Sequence, residues 1–400
     1  MTSFRAYAPL PLVLAAAAPL FVQADELDTL QFRVGQSVQY DSNVFRLPDS
    51  TNTQALLGTA ERSDVIGVTT LGIKLNKAYG LQRFELEATA DDYNYRRFSN
   101  LDFTAANYAA AWRWSFTPAL RGNLTTDRRE YVDTTADVQN MGLLNRRTAR
   151  ATVLDAEYEL GAAWRLLGGV FQRSSESSQP FSFEADSTIR GGEAGVRYVT
   201  GSANSIAYRY KNGQGEYSSR LVAPLVTTGF DEQEHELRAE WAPSAKTTVQ
   251  ARVSHLDRKH DGQSARDFSG VIGQVNAAWA ITGKTRLTGG AARELGSYQT
   301  NTASYYEGYR VFVAPIWRAT EKTSVRLRYD HGVREYKGPL PGFAATNRRD
   351  TTRLASLSLE WQALRSLTLL TAFQRDKRTS TAPGFDYKAN VLSLSLQASL

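Results

Sequence analysis

The chain has 400 residues, 42% of them hydrophobic, with 47 Lys+Arg against 41 Asp+Glu, a net charge of +6 and no cysteine. A mean hydropathy of −0.40 excludes a bundle of membrane helices, and beyond residue 24 no run of about 18 apolar residues occurs to span a bilayer as a helix. The missing thiols exclude disulfides and thiolate metal sites, and the mixed charges do not form the basic stripe of a nucleic-acid binder, so no cofactor, metal or nucleic acid is expected.

Residues 1–24 read as an export signal. A short basic start reaches Arg5, an apolar stretch spans Leu10–Leu20, and Val22-Gln23-Ala24 fits small-x-small cleavage before Asp25. Pro11 and Pro19 make that stretch a poor buried helix. Residues 25–400 are expected to form one domain in the outer membrane of a Gram-negative envelope. Inside a bilayer every backbone polar group must pair, so a spanning chain without apolar helices has to close into a β-barrel.

From about residue 29 the dominant period is two. Tyr108, Ala110, Trp112, Trp114 and Phe116 form one apolar stripe, and Leu154 to Leu160 form another that continues to Ala162 and Trp164. Val325, Leu327 and Tyr329 follow, then Ala355, Leu357, Leu359 and Trp361, and finally Leu392, Leu394, Leu396, Ala398 and Leu400. Soluble sandwich strands run about five or six residues; these run about ten or more, enough to cross a bilayer at a barrel tilt. The stripes end in Trp114, Trp164, Tyr198, Trp241, Trp279, Trp317 and Trp361, which predicts an aromatic girdle at one interface.

Short turns are predicted at Ala78–Gly80, Thr117-Pro118, Leu167-Gly168, Gly201-Ser202, Ala242–Ser244, Thr282-Gly283, Ala319-Thr320 and Ala363-Leu364. Longer polar segments fall between them, among them Asn43–Arg62, Val132–Arg147, Gly215–Asp231 and Tyr336–Arg349. The expected fold is therefore all-β, an up-and-down antiparallel barrel of about 18 strands. Sixteen follow if Gly168–Val199 is not a hairpin. Short turns would face the periplasm and long loops the outside.

The face opposite each stripe is the lumen. It would carry Arg113, Arg197, Arg209, Arg238, Arg252, Arg310, Arg326 and Arg328, with Arg310, Arg326, Arg328 and Arg252 at mid-strand along the substrate path. Glu85, Glu87, Glu157, Glu159, Glu193 and Glu236 share that face. Such charges either pair and stiffen the wall or, where bases exceed acids, ease the entry of anionic or strongly hydrated solutes. Tyr93, Tyr95, Phe98, Tyr305 and Tyr306 are read as membrane-interface anchors, with sugar stacking as the alternative.

Catalytic residues are not expected. His255 and His331 follow outward stripes, yet neither a Gly-x-Ser-x-Gly elbow nor a His-Glu-x-x-His motif occurs. Glu85/Glu87 and Glu157/Glu159 are spaced two apart on one face, a common arrangement in a charged wall.

The first strand ends Val38-Gln-Tyr-Asp-Ser-Asn-Val-Phe-Arg-Leu-Pro48. Through Tyr40, Asp41, Asn43, Phe45 and Arg46 this resembles the outer-membrane β-barrel porins of exopolysaccharide loci, in particular the exosortase-B-associated polysaccharide transporter family. Leu400 departs from the terminal aromatic usual in barrels. The resemblance implies passage of a polysaccharide across the outer membrane, in contact with its lipids and with separate periplasmic or outer-membrane export proteins. A closed polysaccharide-binding scaffold and a general diffusion porin are the alternatives. Locally, Asp41 and Asn43 are suited to cap the turn into the first loop, or with Asp49 to hold calcium.

Overall fold

The computed structural model describes residues 29–133, 143–179, 186–202, 204–218 and 229–400; the expected signal peptide lies outside them. The first six strands are β1 (Leu30–Asp41), β2 (Asp64–Tyr79), β3 (Gln82–Tyr95), β4 (Phe103–Thr117), β5 (Leu120–Val132) and β6 (Arg146–Leu160). Next come β7 (Trp164–Ser177), β8 (Ser187–Val199), β9 (Ser205–Tyr217), β10 (Gly229–Ser244), β11 (Thr247–His260) and β12 (Phe268–Ala280). The last are β13 (Thr285–Ser297), β14 (Tyr305–Arg318), β15 (Thr323–Lys337), β16 (Arg349–Leu364), β17 (Leu367–Ser380) and β18 (Tyr387–Ser399). Each pairs antiparallel with its sequence neighbours, and β1 pairs with β18 from Arg33↔Ser399 to Asp41↔Val391, so the sheet closes as an 18-stranded barrel.

The alternation of the sequence becomes the two faces of the wall. On β18, Leu392 and Leu394 are 52% and 56% exposed and point outward, while Ser393 and Ser395 point inward. The same outward set recurs in Val34, Leu71, Val170, Val253 and Leu357, giving a continuous aliphatic belt. No helix among the described residues is long and apolar enough to cross a membrane.

Trp164, Tyr198, Trp241, Trp279, Trp317 and Trp361 are exposed near the short-turn end and form the girdle. Two details correct the sequence reading. Residues 161–163 make the turn between β6 and β7, with Gly161 at φ 66°, so Trp164 opens β7 rather than ending β6, and Leu167-Gly168 lies within β7. Glycine supplies that left-handed conformation at little cost, whereas the Gly168-Gly169 pair is part of the regular ladder to β6 and β8. Trp114 is buried, lying where a side chain on Gly122 would sit, with its ring 4.8 Å from that of Phe116; Phe116 takes the exposed position.

The long loops turn inward. Val44, Phe45 and Leu47 pack against Ile66, Val68, Tyr95 and Phe98, all on the lumenal side, with Tyr93 and Phe103 stacked beside them at 4.5 Å. Tyr93, Tyr95 and Phe98 are thus part of an inner apolar cluster and not interface anchors. A short helix, α1 (Thr53–Leu57), carries Leu56 and Leu57 onto the same cluster. Across the mouth, the segments after β11, β13 and β15 interlock through Arg266 Nη1 to Thr300 O at 3.3 Å and Leu340 N to Asn301 O at 2.9 Å.

Candidate functional site in the lumen

The inward face of β3–β9 carries charged residues on most of its strands, and antiparallel register sets opposite charges beside each other. Arg83 stands across from Arg113, and Glu85 bridges them at 2.9 Å to each. Arg113 donates onward to Asn123, whose amide reaches Asp155 at 2.9 Å. Glu157 is the hub of the next group, 2.7 Å from Arg121 and 2.8 Å from Arg197, while Glu159 holds Arg121 and Arg165 at 3.1 and 3.2 Å. Arg209 closes the row on Glu193 at 2.7 Å. Arg83, Arg113, Arg121, Glu157, Arg197 and Arg209 line a recess of about 490 Å³ in the short-turn half of the wall, and a neighbouring recess of about 520 Å³ takes in Glu85 with Lys74, Glu87, Asp127 and Arg129.

Arg238 and Arg252 face each other in register on β10 and β11. Both lean on Glu236, at 3.5 and 3.6 Å, which is fully buried and bonded to Lys211 at 2.6 Å. The remaining expected residues sit on the far wall. Arg326 pairs with Glu360 at 3.0 Å and Arg328 with Asp330 at 2.6 Å, whereas Arg310 is exposed with no ion pair among the described residues. Arg326 is the fourth residue of β15, near the short-turn end and not mid-strand as expected, because β15 begins only at Thr323. With 18 strands in order around the wall, β14 and β15 lie roughly opposite β5 and β6. The lumen therefore has two arginine faces, one toward the other. Between them the inward side chains of β16–β18 and β1 are mostly small or neutral, including Ser356, Ser358, Ser393, Ser395 and Gln39.

Carboxylates organise the lumenal arginines. Glu157 holds three arginines within 4.0 Å, and Glu234 joins Glu236 on Lys211 at 3.3 Å. Alternation showed that these acids face inward, but only the register shows which base each one meets. Lys74, Arg129, Arg173, Arg286 and Arg310 have no ion pair among the described residues, and on the acid side neither do Asp91, Asp127, Asp155 and Glu240.

The motif residues build the first loop. Asp41 accepts from the Asn43 amide at 2.9 Å and binds Arg46 Nη1 at 2.8 Å; Asn43 accepts from the Leu47 amide and donates to the Lys388 carbonyl at 3.0 Å. Phe45 is buried and Tyr40 points outward. Arg46, at φ 57°, also reaches Asp376 at 3.7 Å, and the two carboxylates hold its guanidinium above the ordinary value against the lowering effect of burial. Asp41 and Asn43 cap the turn as expected. The calcium alternative fails, since Asp41 is saturated by Arg46 and Asp49 binds Lys388 at 2.6 Å. On the outer face, His255 Nε2 lies 3.2 Å from Ser269 Oγ.

Residues 239–400, from β10 to the C-terminus, match a family model described as "Putative beta-barrel porin 2". Among solved structures the chain is similar to OccK1 (OpdK) of Pseudomonas aeruginosa, at 12% identity and a TM-score of 0.51, over 93% of this chain and 99% of that one. It is similar to OccK2 (OpdF) of the same organism at 13% identity and TM-score 0.51, over 93% and 98% of the two chains. A BenF-like porin from Pseudomonas fluorescens Pf-5 gives 13% identity and TM-score 0.51, over 94% and 100%. No curated protein sequence matches. The class so defined is a porin-like β-barrel, and at these identities the likeness is one of fold.

Proposed function

We propose that the barrel is an outer-membrane channel, long loops outside, that passes an extracellular polysaccharide during export, served by separate periplasmic or outer-membrane export proteins. The observation that carries this reading is the pair of arginine faces opposed across a lumen whose remaining wall offers hydroxyl and amide groups. An anionic or richly hydroxylated chain exchanges contacts with arginines already half-satisfied by glutamates. Each contact is weak and many are available, which is the condition for conduction rather than capture. The Tyr40–Arg46 motif supports the same reading through its resemblance to exopolysaccharide porins.

The test is single-channel conductance in a planar bilayer, with and without fragments of the host's polysaccharide. Open current blocked by the fragments is the expected result. Current indifferent to them removes the reading, and no current at all favours a polysaccharide-binding scaffold.

A second reading draws on the recess of about 490 Å³ with five arginines, which suits a small carboxylate. A solved structure of OpdK, at TM-score 0.51, is described with vanillate. Block by such a carboxylate, and not by polymer, would favour a small-solute porin.

A further inference from the structure

We propose that the outward face of β16–β18, at the long-loop edge of the aliphatic belt, binds the phosphorylated headgroup of an outer-leaflet glycolipid. Register sets Arg353 opposite Lys377 and Lys377 opposite Lys388, three cations abreast on adjacent strands. Arg375 lies one pair nearer the belt, opposite Asn390. All four are exposed and share the face of Leu357, Phe373 and Leu392, which are themselves neighbours in register.

Like charges directly across a strand pair repel, and where the wall opposes them elsewhere, as at Arg83↔Arg113, Arg238↔Arg252 and Arg128↔Arg150, acids stand beside them. On the outer face elsewhere, Arg128 pairs with Glu130 at 2.9 Å, Arg150 with Glu176 at 3.8 Å, Lys337 with Glu307 at 2.9 Å and Arg349 with Glu335 at 3.1 Å. In the patch only Lys388 has an acid, Asp49; Arg353, Arg375 and Lys377 have neither ion pair nor hydrogen bond among the described residues. The missing counter-charge has to come from outside the chain.

Depth identifies the source. Arg353 precedes the girdle residue Trp361 by eight residues along β16, roughly 26 Å of strand, or about 20 Å along the membrane normal at barrel tilt. That is close to the height of the apolar layer, so the cations stand at headgroup level beside acyl chains lying on Leu357, Phe373 and Leu392. A lipid phosphate satisfies both halves of the surface, the basic row and the aliphatic face below it. The assignment rests on the orientation proposed above, but not on what passes through the lumen.

The test uses the full barrel folded in detergent and measures glycolipid retention by native mass spectrometry. Probes are bisphosphorylated lipid A, its dephosphorylated form, and inorganic phosphate as competitor. Wild type is expected to retain the bisphosphorylated form. Retention should drop about tenfold or more for the R353Q/R375Q/K377Q variant, and for wild type given the dephosphorylated form. Folding of the variant is read from heat-modifiable migration, and K377Q alone, with an expected loss of about threefold, serves if the triple variant does not fold. Equal retention by a folded variant, or of the dephosphorylated lipid, overturns the proposal. Full displacement by inorganic phosphate at equal concentration would mean a free-anion site and overturns it too. Unitary conductance of the variant should match wild type, which separates this outcome from failure of the channel reading.

Discussion

Arg46 Nη1 lies 2.8 Å from Asp41 Oδ2, both side chains are buried, and the backbone of Arg46 is left-handed to make the contact. An ion pair in water is worth little; one shut away from water is costly to break, because the surviving charge has no partner. Arg46→Ala strands Asp41 and removes a neighbour of Asp376, and should cost the loop about 3–5 kcal/mol. The visible result would be release of residues 42–63 from the inner wall. Hydrogen exchange at the Leu47 amide, now bonded to Asn43 at 2.9 Å, is the direct readout; unchanged protection would refute the role given to Arg46.

Asp49 and Lys388 offer a titration at the rim. The hydrogen bond from Lys388 Nζ holds the Asp49 carboxyl below its ordinary value, while both groups remain exposed. A depressed carboxyl contributes fully above the unfolded value near 4, and its contribution fades as pH falls through the lower, folded value. Carbon-13 titration of Asp49 should give a midpoint below the usual range, moving up toward it in Lys388→Met. A midpoint indifferent to Lys388 would mean that the pair does not form in solution.

Arg310 should govern ion selectivity more than Arg326 or Arg328, which already have carboxylate partners. One unit charge about 7 Å from a permeating ion in water is worth about 0.6 kcal/mol, a factor of roughly three in local concentration. Arg310→Glu is therefore expected to lower anion-over-cation permeability several-fold, read as a shift in reversal potential under a salt gradient. A larger shift from Arg328→Gln would reverse the ranking.

Glu157→Gln should act in the opposite sense. It strips the shared counter-charge from Arg121, Arg165 and Arg197 and turns the recess into an anion trap. Reversal potentials should move toward anion preference, and a polyanion should dwell longer in single-channel records. Shorter dwell would show that Glu157 positions the arginines rather than restraining them.

Gly122 is fixed by packing. A Cβ there would meet the Asp155 carbonyl and the Trp114 ring, so Gly122→Ala should destabilise by about 1–3 kcal/mol as overpacking does. The folded fraction on heat-modifiable gels is the check, and Trp114→Ala in the same chain should restore part of it.

Much of the barrel was legible because a strand with two different environments has to alternate. Leu392 to Leu396 read correctly as outward and Ser393 as inward, and the count of 18 followed from turn spacing. The β6–β7 turn was misplaced because residues 161–163 carry only one turn residue, whereas Leu167-Gly168-Gly169 carries two that lie within the sheet, Gly169 close against the Leu154 carbonyl. The inward fold of the first loop was not legible. Val44, Phe45, Leu47, Leu56 and Leu57 have no period to reveal a face, although so many apolar residues between two polar caps were a sign that the segment would be buried. Nor could composition say that Glu157 meets Arg197, since that depends on the stagger of three strands.

The bond from Asn43 to the carbonyl of Lys388 joins residues 345 positions apart. The motif at the beginning of the chain thus finishes its hydrogen bonding only against the last hairpin, across the line where β1 meets β18. Contacts of such sequence separation form late. The Tyr40–Arg46 segment is in this sense a latch on the seam of the cylinder: it fastens once, when the first and last strands arrive side by side, and a chain cut before β18 would lack both the seam and the means to hold it.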